Sequence, residues 1–342
     1  MASSAPGASR RSLVLVAGSG RSGTSVFSGI LQRLGFHVPA PEVTPDATNP
    51  RGFAESRWVV DFHQAMLTAS RVGTSDGRPS AWAESARVAD EPRARELRKF
   101  LKQQFAAADH VLIKDPRLIW FLPLWRRCAT EIGVTPRFVT MLRHPAAVID
   151  SKTRYYGGMG EVGQTCGWLN VMLHAERATR GELRAFVRYD DLLDDWTKVI
   201  HRLGETLTLD AVNKASSGQI SAADQFVDPA LSRSAPSWES VAIPPLLRDQ
   251  ADEAWGLLRA LADKEPTAAD DLARRLDTAR ATYADFYEQA EAIAESSVRA
   301  GKPRPPGAEA LGLHLIPDRY RRKIPVHWRR AVLALLGRSA RG

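Results

Sequence analysis

Four short apolar runs punctuate the chain, at residues 13–17, 111–114, 137–142 and 185–189. Each is continuous rather than alternating, the pattern of a strand covered on both faces in a parallel sheet. A shorter run at 36–38 reads as a further short strand. Between the runs the period becomes helical. Phe27, Ile30, Leu31 and Leu34 recur at i, i+3, i+4 and i+7, and Gly35 closes that stripe. Leu97, Phe100, Leu101 and Phe105 mark a helix ahead of the second run. Helices are also predicted over 56–70, over 120–132 with Pro123 in the first turn, and over 165–180. Pro145 opens another after the third run, and this one carries Ser151. Strands separated by helices predict an α/β fold: a central parallel sheet with helices on both faces, right-handed crossovers, and a mostly helical part after residue 195.

The expected organisation is a disordered stretch at 1–11, one domain over 12–300 with a helical subregion at about 196–300, and a linker with a basic tail at 301–342. Residues 267–298 read as one long helix, because Leu272, Leu276, Ala279, Tyr283, Phe286, Ala290 and Ile293 alternate by four and three. Such a seam packs on its own domain; an antiparallel partner helix or a homodimer seam is the alternative.

Charge changes the picture only once it is located. The chain carries +8, but residues 318–342 hold eight Lys or Arg and one Asp, so +7 of it sits in the tail. The remainder lacks the basicity of a nucleic-acid binder, and no nucleic acid is expected as a partner. The tail reads as solvated. The alternative is a peripheral membrane contact through a short basic amphipathic helix at 326–336 that includes Trp328. No apolar run approaches the ~18 residues of a membrane span. The run at 13–17 is too short for a signal-peptide core, so a cytoplasmic location is expected. Cys128 and Cys166 are the only cysteines, which excludes a disulfide framework and a CxxC site. The eight histidines show no ligand spacing, so no metal is expected.

The candidate chemistry begins directly after the first run. Glycines at 18, 20 and 23 lie between a strand and a helix. That layout, P-loop-like, aims backbone N–H groups and a helix N-terminus at a phosphate. Three readings compete. From Gly18 the loop is G-x-x-x-x-G-T-S, but a nucleoside-triphosphatase loop needs lysine where Thr24 stands. As Gly18-x-Gly20-x-x-Gly23 it also matches a dinucleotide fingerprint, with Glu42 about where the ribose acid belongs. The proline-rich segment around Glu42 makes a poor strand end.

In the third reading, Gly20-Arg21-Ser22-Gly23-Thr24-Ser25 resembles the 5′-phosphosulfate loop of the sulfotransferases that use 3′-phosphoadenosine 5′-phosphosulfate (PAPS). Arg143 and Ser151, eight residues apart across a strand end and the next helix, resemble that family's 3′-phosphate motif. A permanent cation and a hydroxyl donor are suited to a ribose phosphate. The segments 111–117, 49–55 and 185–192 are similar to further family segments, and the bacterial and carbohydrate-type branch fits best. The resemblance covers about residues 12–235. It implies a sulfotransferase that moves a sulfuryl group to a small-molecule, glycan or lipid hydroxyl, with PAPS as co-substrate.

In that family Gly20 to Ser25 would cradle the phosphosulfate, Arg21 would neutralise charge on the bridging oxygen, and Lys114 would stabilise the transferring group. Arg233 is similar to a late nucleotide-contacting segment, although the family's glycine-rich motif is missing here. The cytosolic branch has a histidine two residues after the Lys114 position, where this chain has Pro116. The resemblance therefore points to a glutamate base, Glu55. The alternative for Glu55 is a surface residue pairing with Arg51 or Arg57, and Asp115 and His63 stand in reserve as bases. Trp58, Trp82, Tyr155, Tyr156 and Trp168 are candidate cleft or core aromatics. A small-molecule kinase, a dehydrogenase and a noncatalytic nucleotide-binding protein remain the alternatives.

Overall fold

In this computed structural model, residues 11–156, 160–228, 237–263 and 269–301 are described. Four strands form one parallel sheet: β1 (Ser12–Ala17), β2 (His110–Lys114), β3 (Pro136–Leu142) and β4 (Arg184–Arg188), in the order β2-β1-β3-β4. Leu15 pairs with Ile113 on one side and Phe138 on the other, and Thr140 pairs with Phe186. Every residue of β1 is buried, as a strand between two helical layers must be. Its side chains alternate between two cores. Leu13, Leu15 and Ala17 join Ile113, Phe138 and Phe186 on one face; Val14 and Val16 join Leu112, Val139 and Val187 on the other.

The helices follow in chain order. They are α1 (Thr24–Arg33), α2 (Arg57–Ser70), α3 (Ala81–Arg87), α4 (Glu91–Ala107), α5 (Leu122–Glu131), α6 (Pro145–Tyr156) and α7 (Glu161–Thr179). Then come α8 (Tyr189–Asp194), α9 (Trp196–Thr206), α10 (Asp210–Asn213), α11 (Ser217–Phe226), α12 (Pro245–Asp263) and α13 (Ala269–Gly301). The α1 stripe is buried as its period requires, and Gly35, at φ +100°, ends it. The Gly35 N–H reaches the Gln32 carbonyl and the Phe36 N–H that of Leu31, at 3.1 Å each, a Schellman closure.

Some boundaries differ from the sequence expectation. The 36–38 run makes only an isolated bridge from His37 to Val111, with no ladder. The predicted 120–132 helix opens earlier, as a 3-10 turn at Pro116–Phe121, because Asp115 caps the Arg117 N–H and Pro116 suits a first turn. The stretch 72–81 reads as loop from its Gly, Ser and Pro content, and α3 begins at its last residue, Ala81. Among the described residues, no helix is long and apolar enough to cross a membrane.

The chain divides into two compact units, Met1–Tyr287 and Glu288–Gly342. In the first, the long seam packs as expected for a helix on its own domain: Leu272, Leu276, Ala279 and Tyr283 are buried. The Tyr283 hydroxyl lies 2.6 Å from the Gly77 carbonyl and 3.1 Å from that of Cys166. Further along α13, Ala290 and Ile293 are exposed. Arg233, the stretch 157–159 and the basic tail at 318–342 lie outside the described residues.

Candidate active site

The strand order sets where a ligand can sit. The chain leaves β1 toward β2 on one side and returns to β3 on the other, which opens a crevice at the carboxyl ends of these strands. The phosphate-type loop follows β1, Lys114 ends β2, Arg143 follows β3 and Tyr189 follows β4. All four therefore meet at one edge of the sheet.

The loop is shaped by close approaches. A Cβ on Gly18 would sit 2.8 Å from the Met141 carbonyl oxygen, so only glycine lets β1 exit against β3 there. Gly23 caps α1 at φ +86°, and a Cβ there would overlap the Tyr189 ring. Gly23→Ala is expected to lose at least about 1–2 kcal/mol from the left-handed backbone alone. Thermal unfolding measures it, and an unchanged midpoint would mean both that the Tyr189 ring moves aside and that the loop leaves the left-handed conformation without cost.

Arg21 holds a left-handed conformation, at φ 74°. Its guanidinium donates from Nε to Ser151 Oγ (3.0 Å) and from NH1 to the Thr48 carbonyl (3.3 Å), and it lies over the Tyr155 ring. Its carbonyl accepts from Arg143 NH1 at 2.9 Å, while Arg143 lies over the Tyr189 ring. The two candidate anion grips thus touch: Arg21, Arg143 and Ser151 form one cluster. Ser151 meets Arg21 here rather than Arg143. The Ser22 N–H turns back to the Ser19 carbonyl at 3.2 Å. Its hydroxyl is buried with no hydrogen-bond partner among the described residues.

Glu55 and Lys114 are drawn together from distant sequence. Lys114 Nζ donates to Glu55 Oε1 and, at 3.1 Å, to Ser25 Oγ in the first turn of α1. Both side chains are buried, with residue exposures of 7% and 3%. Burial raises the Glu55 carboxyl above its ordinary range, against the pull of the Lys114 charge. The surface pairing with Arg51 or Arg57 is not what forms: Arg51 pairs instead with Asp228 at 2.8 Å.

The reserve bases are sealed in. His63 and Asp115 are 0% and 1% exposed and bond to each other, Nδ1 to Oδ2, at 2.8 Å. Trp125 Nε1 donates to His63 Nε2 at 2.8 Å, which leaves the ring proton on Nδ1, facing Asp115. Burial would raise the Asp115 carboxyl, but His63 and Arg117 hold it below its usual value. A carboxylate so engaged does not reach an acceptor hydroxyl. Of the candidate aromatics, Tyr155 lines the cleft. Trp58 stacks on Phe100, Trp82 stacks on His174 and Trp168 is wholly buried, so these three are core. The Tyr156 side chain lies outside the described residues.

A cavity of about 630 Å³ lies over this edge, lined by Gly20, Arg21, Gly23, Thr24, Ser25, Glu55, Lys114 and Arg143 among others. Its size suits a nucleotide-sized ligand. No protein-family model and no curated protein matches the sequence. Among solved structures, the chain is similar to the sulfotransferase domain from the Synechococcus PCC 7002 olefin synthase, at 20% identity and a TM-score of 0.41. That likeness covers 73% of this chain and 94% of that one.

The sequence reading passed over several cavity residues. Thr48 and Phe226 come from two separate segments and carry no local signal, whereas Tyr189 lies in the 185–192 segment already singled out by resemblance. Arg117, at the end of the family-like segment 111–117, lines the cavity too. Lys152, next to Ser151, is buried and bonds Ser19 Oγ and Ser75 Oγ at 3.1 Å each.

Proposed function

We propose that this chain is a PAPS-dependent sulfotransferase acting on a hydroxyl acceptor. The observation that carries the reading is the meeting of Arg143 with the Arg21 carbonyl on the wall of one cavity, 122 residues apart in sequence. A nucleotide with phosphates at both ends of its ribose needs two cationic grips on one ligand. The residues present fit it: two arginines, a left-handed glycine at the helix N-terminus, and the buried Ser22 hydroxyl, without a partner among the described residues. When bound, PAPS supplies an activated sulfuryl group whose leaving group, 3′-phosphoadenosine 5′-phosphate (PAP), departs readily.

The chain's own residues then have distinct work. Gly20 to Ser25 hold and orient the anionic end, and the first N–H groups of α1 lack intrahelical partners and face that charge. Arg21 offers fixed positive charge but, being permanently protonated, no acid. Lys114 joins the loop to the base through Ser25 and Glu55, so one cation touches both sides of the transfer. Glu55 takes the proton from the attacking hydroxyl. Positioning and charge stabilisation dominate such a loose, in-line transfer. Arg143, with Ser151, faces the ribose phosphate.

Thermal shift against PAP, ATP with magnesium, and NAD tests the reading. PAP alone is expected to stabilise the chain, and labelled PAPS with sugars, lipids and phenols then identifies acceptors. Lys114 at Ser25 also supplies the loop lysine that Thr24 does not, which favours a phosphoryl-transfer enzyme as second reading; magnesium-dependent ATP turnover would select it. Arg143→Met is expected to weaken PAP about tenfold to a hundredfold, the worth of a charge-assisted hydrogen bond. Unaltered PAP affinity in calorimetry would detach Arg143 from the ligand.

A further inference from the structure

Among the described cations that line the cavity, Arg51 and Arg117 have no role in the proposed donor site. Arg51 is occupied by Asp228 and the Phe226 carbonyl, and Lys114 by Glu55 and Ser25. Arg117 is different. It leaves the carboxyl end of β2 in the 3-10 turn, three residues after Lys114, and lines the same cavity. Its Nε donates to Gln64 Oε1 at 3.1 Å and its NH1 to Asp115 Oδ1 at 2.9 Å. Its backbone N–H also donates to Asp115 Oδ1, at 3.0 Å. Among the described residues its NH2 makes no hydrogen bond.

Much buried polar structure stands behind that guanidinium. Trp125 donates to His63, His63 to Asp115, and Asp115 accepts Arg117. Every link is satisfied, and such a network rigidifies what it holds. What it holds is the guanidinium of a cavity-lining arginine, with Nε spent on Gln64 and NH1 on Asp115, so that NH2 keeps its donors among the described residues. A guanidinium with a preset plane recognises a carboxylate, phosphate or sulfate, and loses little freedom in doing so. It lines the same cavity as Glu55, and its charge is felt at the Glu55 carboxyl.

The geometry points to Arg117 as an acceptor-side anion site: the hydroxyl acceptor carries a carboxylate, phosphate or sulfate that the NH2 edge of Arg117 binds. This rests on the sulfotransferase reading, because it divides the cavity into a donor side at Arg21 and Arg143 and an acceptor side at Glu55 and Arg117. Asp115 and His63 are then positioning residues.

The test uses the full chain saturated with PAP and isotopically labelled on arginine. The Nε–H resonance missing from Arg117→Met identifies Arg117. Two matched pairs are titrated: glycerol 3-phosphate against glycerol, and 4-hydroxyphenylacetate against 2-(4-hydroxyphenyl)ethanol. The anionic member of each pair is expected to bind about tenfold to a hundredfold tighter than its neutral partner and to move the Arg117 resonance. In Arg117→Met the ratio should fall toward one. Gln64→Ala, which frees the fork but keeps the charge, should lower it part of the way and serves if the arginine variant folds poorly. Equal binding within both pairs, no binding of either anion, or an advantage that survives in Arg117→Met overturns the assignment. If PAP itself does not bind, the sulfotransferase reading fails instead, and the same titrations on the nucleotide-free chain still decide whether Arg117 holds an anion.

Discussion

Glu55→Gln is expected to lower turnover by about 10²–10⁴-fold, the range for loss of a positioned general base, while PAP binding persists. The expectation comes from where Glu55 sits. Its carboxyl is buried, bonded to Lys114 and raised above its ordinary range by burial. A base must be deprotonated to act, so kcat/KM should rise with pH through an acid limb lying above the ordinary glutamate value of 4.5. The glutamine variant should lose that limb as well as the rate. It also leaves the buried Lys114 ammonium with a neutral acceptor, and an uncompensated buried cation costs several kcal/mol. A lower melting temperature is therefore expected, and the PAP affinity of the variant shows whether the site survives it. If Glu55 only holds Lys114 in place, turnover would drop modestly and together with PAP affinity. Near-normal turnover with PAP bound would remove Glu55 from the reaction.

Why the sequence showed some of this and not the rest follows from distance along the chain. The four strands were legible because a doubly covered strand must be apolar throughout, and Leu13 to Ala17 obey that residue by residue. The loop was legible because Gly18 and Gly23 serve backbone needs that no other residue meets. Arg143 and Ser151 are paired in the sequence by their resemblance to a family motif, yet the Ser151 partner is Arg21, 130 residues away. No spacing rule reveals such a contact, since it depends on β1 and β3 lying side by side. The same holds for Glu55, which the resemblance singles out as a base but whose Pro- and Gly-rich loop fits a surface charge equally well, until β2 brings Lys114 against it. His63 and Asp115 show the opposite case. Their chemistry is reactive by residue type, and burial between Trp125 and Arg117 turns it into scaffolding. Trp58, Trp82 and Trp168 were ambiguous because an aromatic that packs a core and one that lines a cleft have the same local pattern.

Lys152→Met is expected to stabilise the ligand-free protein. The ammonium is buried and bonds only the hydroxyls of Ser19 and Ser75, and among the described residues no carboxylate pairs with it. Burial pulls its pKa from 10.5 down to about 8, which is about 3 kcal/mol against the charged form at neutral pH. A methionine of similar length removes that penalty. Losing two hydroxyl contacts returns part of it, so a net gain of about 1–2 kcal/mol is expected in thermal or denaturant unfolding. The pH dependence gives a separate check. Between about pH 8 and 10.5 the unfolded chain holds the proton that the folded chain has released, so this residue makes wild-type stability rise with pH across that window. The variant lacks that rise, and its advantage should shrink from pH 7 toward pH 10.5. A constant gap would mean that Lys152 does not titrate there, and a loss of stability at pH 7 would mean that its hydroxyl contacts outweigh the buried charge. Ser19 belongs to the loop that faces the proposed anion, so a cation kept at a net cost beneath it fits the usual exchange of stability for function. On that account PAP should raise the melting temperature of the wild type by more than that of Lys152→Met, since only the wild type has an unbalanced charge for the anion to relieve.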